Sequence, residues 1–198
     1  MNKRHFIHLI AWIGLCLLTG CASSFQAGKL KPVKHYPKMA EKKTIYLDVA
    51  FSGKLNGKPW PKNDAYNQGY LKQRCMRELE ACGMFSFVST DLKSTDLRLY
   101  VAVINEKETT TPTRQTVSAL TLFLIPNTSR DTFRMMAVLK DAKGKEHKIE
   151  LAGGVNHRQQ LLLGLLAPFK GSGNELQKCT DRLVENLCME IHRSGMLE

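Results

Sequence analysis

What the sequence withholds excludes most catalytic classes. None of its six histidines falls in an H-E-x-x-H spacing, no G-x-S-x-G occurs, and there is no phosphate-binding glycine loop. No internal repeat is present. The cysteine spacings Cys-x6-Cys and Cys-x8-Cys are not the short pairs that close structural zinc sites. No catalytic residue, metal or cofactor is therefore assigned, and the chain reads as non-enzymatic, with a cell-wall hydrolase the remotest of the readings. A second scarcity is of acid: 18 Asp+Glu stand against 29 Lys+Arg, a formal charge of +11 over 198 residues, and residues 1–20 contain no acid at all. With 43% hydrophobic and 24% charged residues, the composition excludes a mainly disordered, collagen-like or multi-span membrane protein.

The first twenty residues explain part of the imbalance. Lys3 and Arg4 precede an apolar run from Phe6 to Leu18 that only His8 interrupts. A bilayer span takes about 20 apolar residues, so this shorter run fits the hydrophobic region of a secretory signal. It ends in Leu18-Thr19-Gly20-Cys21. All four positions resemble the lipobox of bacterial lipoproteins: Leu, a small residue, Gly or Ala, then Cys. The alternative is a plain secretory signal with a chance cysteine. The resemblance implies that Cys21 becomes the first mature residue and carries a thioether-linked diacylglycerol, usually with an N-acyl chain. Two or more chains anchor stably where one is marginal. It also implies, from Ala22 and for a Gram-negative source, the periplasmic face of the outer membrane.

Without Lys3 and Arg4 the mature charge is +9, and residues 22–43 hold +5 of it, six lysines against Glu41. With two prolines and little periodicity, residues 21–43 read as a lipidated basic tether, spanning roughly 25 Å as a coil. Its lysines would either face anionic lipid, at about 1 kcal/mol each, or simply keep a linker soluble. The remaining 44–198 is nearly neutral. A nucleic-acid binder concentrates basic charge on its folded unit, so nucleic acid is excluded as a partner.

Residues 44–198 predict one α+β domain, a single mixed or mostly antiparallel sheet of about six strands with two long helices packed on one face. Ile45 to Phe51 and Leu97 to Val103 alternate as half-buried strands. Gly53 to Lys62 and residues 106–114 read as loops. Leu71, Cys75, Leu79 and Cys82 form a helical stripe that Gly83 ends. Val117 to Ile125 is apolar on both parities and predicts a strand covered on both faces. Phe133–Lys140 and Lys145–Leu151 flank a turn at Gly144. Asn156 with Gln159, and Asn174 with Gln177, mark the starts of a short helix over 157–166 and a last helix reaching about Arg193. The helix running into Gly83-Met84-Phe85-Ser86-Phe87-Val88 and the strand 118–126 are similar to small envelope lipoproteins whose fold resembles the N-terminal domain of the Tol translocation protein and the curli-secretion lipoprotein domain. That resemblance covers about 75–198 and carries no shared catalytic residues.

Four cysteines remain in the mature domain: Cys75, Cys82, Cys179 and Cys188. In an oxidising periplasm an even set suggests disulfides. Neither Cys75–Cys82 nor Cys179–Cys188 fits within one regular helix. The expectation is at least one bridge between the first and last long helices, Cys82–Cys179 or Cys75–Cys188 if these run antiparallel; the alternative is four buried thiols. Candidate interaction residues are Trp60, in a Pro-flanked loop, and Leu161, Leu162, Leu165 and Leu166 of the run 161–169, which has no polar face. Each is read two ways, as core or as a patch meeting membrane or partner. The leading function is a lipid-anchored, periplasm-facing protein-interaction or assembly module of the outer membrane, with an envelope protein as partner. The second is a carrier or assembly factor for an amphiphile such as lipid or lipopolysaccharide.

Overall fold

The structure is a computed structural model and describes residues 20–26, 30–91, 95–121, 125–160 and 174–197. The alternation read from the sequence sets its one open sheet. Strand β2 (Lys43–Leu55) turns Ile45, Leu47 and Val49 inward, and β5 (Leu97–Thr109) does so with Leu97, Leu99, Val101 and Val103. Strands β6 (Asn127–Asp141) and β7 (Glu146–Gln160) add Met135, Ala137, Leu139, Ile149 and Val155 to the same face. Each such side chain contributes about 1.5–3 kcal/mol of burial when large. The strand order is β1-β7-β6-β5-β2-β3, where β1 is Gly20–Gln26 and β3 is Lys58–Pro59; β4 (Phe85–Ser89) lies against β2 beside β3's end of the path. β2 runs parallel to both β4 and β5, and the other pairings are antiparallel.

Helices α1 (Asp64–Ala81) and α3 (Glu175–Arg193) lie on the inward face. Leu71, Cys75 and Leu79 of α1 meet Leu183, Leu187 and Ile191 of α3 in one core. Gly83, Gly144 and Gly195 take positive φ at the ends of α1, the β6–β7 hairpin and α3, where a side chain would strain the backbone. The two helices run parallel. Arg74 pairs with Asp181, and further along both helices Cys82 meets Cys188, a near-constant offset that antiparallel helices cannot give. Parallel packing follows from the chain path, because both helices start at the end of the sheet where β3 and β7 finish.

Several expectations are corrected. Among the described residues three helices accompany the sheet, not two: α2 (Pro112–Leu120) takes the first four residues of the strand expected over 117–125. Thr111 precedes a proline at the helix start, where the missing N–H costs nothing, and the local start signal overrides the apolar run. Residues 157–160 of the helix expected over 157–166 are strand instead, because β7 continues to Gln160 while paired on both sides by β6 and β1; 161–166 lie outside the described residues. The expected loops shrink: β2 continues to Leu55 and turns at Asn56-Gly57 into β3, and β5 continues to Thr109. Residues 21–26, expected in a free tether, form the edge strand β1.

The next stretch is docked as well. Leu30 is buried in the core. Lys31 is clamped through its backbone by Asn186, whose Oδ1 accepts from Lys31 N at 3.1 Å and whose Nδ2 donates to Lys31 O at 2.8 Å. The Tyr36 hydroxyl donates to the Glu78 carboxylate, and burial, reinforced by that carboxylate, pushes its phenol well above the ordinary value. Lys43 Nζ donates to Met196 O at 2.8 Å.

Candidate functional site

Following each strand to its end places the sequence's separate candidates at one end of the sheet, Cys21 on one edge strand and Trp60 beside the other. β2, β5 and β7 finish, and β1 and β6 begin, at the same end of the sheet. In register, Cys21 stands opposite Gln159, and Gln159 opposite Asn127. Trp60 follows β3 at this end, one step before the 3-10 turn (Pro61–Asn63) that leads into α1. Helix α2 joins β5 to β6 here, and α1 and α3 start here. Cys21 and Trp60, 39 residues apart in sequence, thus belong to one end of the molecule. Leu161, Leu162, Leu165 and Leu166 lie outside the described residues.

This end is unusually apolar for a surface. Among the described residues ten large hydrophobic side chains are exposed, and seven of them are here: Trp60, Tyr66, Tyr70, Val117, Leu120, Ile125 and Leu176. Leu120 is 78% exposed and Tyr66 77%, so these are surface groups, not the rim of the core. α2 holds itself by its own bonds: Gln115 N donates to Thr111 O at 3.0 Å, and the buried Ser118 Oγ to Ile125 O at 2.6 Å. Every residue of α2 except Ser118 is exposed, so Val117 and Leu120 meet solvent beside Thr113, Arg114, Gln115 and Thr116. The sequence from Thr109 to Arg130 contains no acid, and Lys58, Lys62, Arg114, Arg130 and Arg158 are exposed around it.

The loop that carries Trp60 is fixed by a close approach. Gly53 N donates to Asp64 Oδ1 at 3.0 Å, and Trp60 N donates to Gly53 O at 2.8 Å. A Cβ on Gly53 would lie 2.9 Å from Trp60 O, so only glycine lets the loop fold back on β2. Trp60 is 38% exposed; its backbone is pinned while part of its ring meets solvent.

Beneath this end, the first halves of α1 and α3 part over the sheet and leave a cleft of about 500 Å³. Phe51, Leu71, Val103, Phe133 and Met135 give it apolar walls, and Arg74, Arg77, Asn105 and Asp131 give it polar groups. Asp131 is buried, and its Oδ2 lies 2.9 Å from His157 Nε2. Among the described residues no group of three His, Cys, Asp or Glu side chains could hold a metal ion.

The four domain cysteines are buried and free in this structure. Cys82 Sγ donates to Leu79 O at 3.0 Å. Cys82 and Cys188 lie near enough to act on each other: their interaction lowers the Cys82 thiol's pKa and raises that of Cys188 well above its ordinary value, with burial adding to the latter. Burial pushes Cys75 up to about 12 against the nearby Arg74 charge, and burial together with the Asp131 charge does the same to Cys179. Parallel helices thus bring together Cys82 and Cys188, not the pairs that antiparallel helices would join.

The other face of the sheet is bare. Among the described residues no helix covers it, and Asp48, Ala50, Tyr100, Met136, Glu150 and Ala152 are exposed there. The Tyr46 and Tyr100 rings meet edge to face with centroids 6.0 Å apart.

Sequence reasoning missed the exposed side chains of α2, because an apolar run reads as buried whichever way it folds. The Thr111-Pro112 helix start was the available signal. Tyr66 and the Asp131–His157 pair carried no signal in one dimension.

No protein-family model matches the chain, and no curated protein matches it. Among solved structures the chain is similar to a minor lipoprotein from Acinetobacter baumannii, at 12% identity over 77% of this chain and 94% of that one, with a TM-score of 0.38. It is similar to an uncharacterised protein at 13% identity over 82% and 99%, TM-score 0.36. It is also similar to a PelC dodecamer from Paraburkholderia phytofirmans at 12% identity over 84% and 94%, TM-score 0.34.

Proposed function

We propose that the chain is a non-enzymatic envelope lipoprotein, anchored through acylated Cys21 at the periplasmic face of the outer membrane, that binds a protein partner on the bare face of its sheet. Leu18-Thr19-Gly20-Cys21 behind a short apolar run supplies the anchor. The observation that carries the interaction role is the uncovered face itself. A one-sided sheet whose outer face were only solvated would be studded with charge along its centre. Here Ala50, Tyr100, Ala102, Met136 and Ala152 make the centre small or apolar, with Asp48, Arg134, Lys148 and Glu150 around them. An apolar centre inside a charged rim is the anatomy of a protein contact.

Photo-crosslinking in cells from Tyr100 and Met136 tests this reading. A discrete adduct with an envelope protein is expected, lost on Met136→Glu. A chain whose Cys21→Ser variant still incorporates labelled palmitate has no anchor at Cys21.

The cleft favours a second reading, a carrier for an amphiphile. Its volume falls within the range of small-molecule pockets, and its apolar walls beside Arg74 and Arg77 suit an acidic amphiphile. Lipid co-purifying with the wild-type chain, and lost on Leu71→Arg, would favour this reading over the first.

A further inference from the structure

We infer that the end of the molecule bearing Cys21 is itself a membrane-contact surface, with Leu120, Val117 and Trp60 entering the outer layer of the bilayer that holds the acyl chains. The inference rests on acylation at Cys21 and goes beyond it, because an anchor at the start of a free tether would leave the domain's orientation open.

Two independent observations carry it. The first is distance. Cys21 lies within the edge strand β1, not at the far end of a coil. Asn127 starts β6, two strands away in register, which at about 4.8 Å per strand is roughly 10 Å. Acyl chains leaving Cys21 therefore bring the base of α2 to the bilayer surface. The second is chemistry. Seven of the ten exposed large hydrophobic side chains among the described residues lie at this end; Tyr66, Tyr70 and Leu176 line the cleft, and Trp60, Val117, Leu120 and Ile125 lie outside it. Aromatic rings with a polar edge settle at the headgroup level, and an interfacial helix buries its apolar face about 5–10 Å into that layer. Leu120, at 78% exposure, gains nothing from water. The arm from Thr109 to Arg130 contains no acid that anionic headgroups would repel, and Arg114 and Arg130 are exposed within it. With this end down, the strands stand upright on the membrane and the bare sheet face points sideways, open to a partner.

The test uses the full chain, purified with its acyl groups and reconstituted in phosphatidylethanolamine–phosphatidylglycerol vesicles containing brominated lipid. The sequence has two tryptophans, Trp12 and Trp60, and signal removal leaves Trp60 as the only one. Its fluorescence is expected to be quenched by shallow bromines, as is that of Leu120→Trp in a Trp60→Phe background. Phe87→Trp, on β4 at the opposite end, is expected to stay unquenched. Val117→Asp with Leu120→Asp should abolish the Trp60 quenching with melting unchanged, since both sites are exposed. Unquenched Leu120→Trp and Trp60 in protein that still floats with the vesicles overturns the inference, as does equal quenching at Phe87→Trp. Intact mass reports acylation separately. If Cys21 carries no acyl group the anchor reading fails, and the contact then stands only if added vesicles still quench Leu120→Trp.

Discussion

Asp131 Oδ2 and His157 Nε2 stand 2.9 Å apart across the β6–β7 ladder, with the carboxylate buried at the foot of the cleft. A buried carboxylate costs free energy in proportion to the partners it lacks. His157→Ala is expected to lower stability by about 2 kcal/mol, measured by urea unfolding, and Asp131→Asn by less, because the amide keeps a hydrogen-bonding group at the site. A loss below about 0.5 kcal/mol in His157→Ala would show that the carboxylate does not depend on the imidazole.

Glycines at two sites should respond with opposite signs. Gly53→Ala forces a Cβ to 2.9 Å from Trp60 O and 3.0 Å from Asp64 Oδ1, and overpacking of this kind costs about 1–3 kcal/mol. The Trp60 emission should shift as its loop lifts. Gly69, inside α1, has open space around it, so Gly69→Ala should raise stability by about 0.5–1 kcal/mol. Thermal melting of the two variants against wild type decides both.

Alkali should unfold this protein through its core. Burial holds the Cys75 and Cys179 thiols up to about 12, while an unfolded cysteine titrates near 8.5. The folded state therefore keeps protons that the unfolded state releases. Stability is at its full value below about pH 8.5 and falls as pH rises toward 12. Cys75→Ala should flatten that fall in pH-dependent unfolding, and neither thiol should react with iodoacetamide in native protein at pH 8.

On the acid side the sensitive pair is Asp96 with Thr44. Thr44 N donates to Asp96 Oδ2 at 2.7 Å and Thr44 Oγ1 at 2.8 Å, and the backbone bond foremost holds the carboxyl below its ordinary value. Its contribution is present above the unfolded value of about 4 and lost as pH falls through the lowered folded one. Solvent screens this exposed site, so Asp96→Asn should cost only about 0.5–1 kcal/mol at pH 7. The variant should also lose part of the acid dependence seen between pH 5 and 2.

Oxidation should select one cysteine pair. Cys82, just past α1, and Cys188 of α3 are near enough to act on each other, and disulfide exchange joins thiols already in reach. Refolding in a glutathione redox buffer, followed by alkylation and peptide mapping, is expected to give a Cys82–Cys188 bridge with Cys75 and Cys179 alkylated. Removing a bridge across a long loop costs about 2–5 kcal/mol, so the Cys82→Ser variant should melt lower than the oxidised protein. A Cys75–Cys188 or Cys82–Cys179 bridge would contradict the parallel packing of the helices.

Strands and long helices were legible wherever one face is buried and one wet. Ile45-Leu47-Val49 and Leu97-Leu99-Val101 alternate because the pleat alternates, and Leu71-Cys75-Leu79 repeats because the helix does. The errors fall where that rule is silent. Val117 to Leu120 is apolar yet exposed on α2, and periodicity cannot mark an apolar surface. Asn156 and Gln159 fit a helix start, but the ladders to β1 and β6 claim their backbone groups. Residues 22–43 look free because lysine and proline dominate them, whereas Leu30, Lys31 and Tyr36 bind to helices more than forty residues away in sequence.

The sequence by itself determined the one-sided strands, the two long helices and the candidate anchor: alternation and helical spacing are local, and so is a four-residue motif behind an apolar run. Only the tertiary structure decided which features share a place. Whether α1 and α3 run parallel, and so whether Cys82 meets Cys188 or Cys179, depends on where the chain re-enters the sheet. The gathering of Cys21, Trp60 and Leu120 at one end depends on strand direction summed over five ladders. Neither is encoded in any short window, because both are products of long-range pairing, which burial of the common core selects.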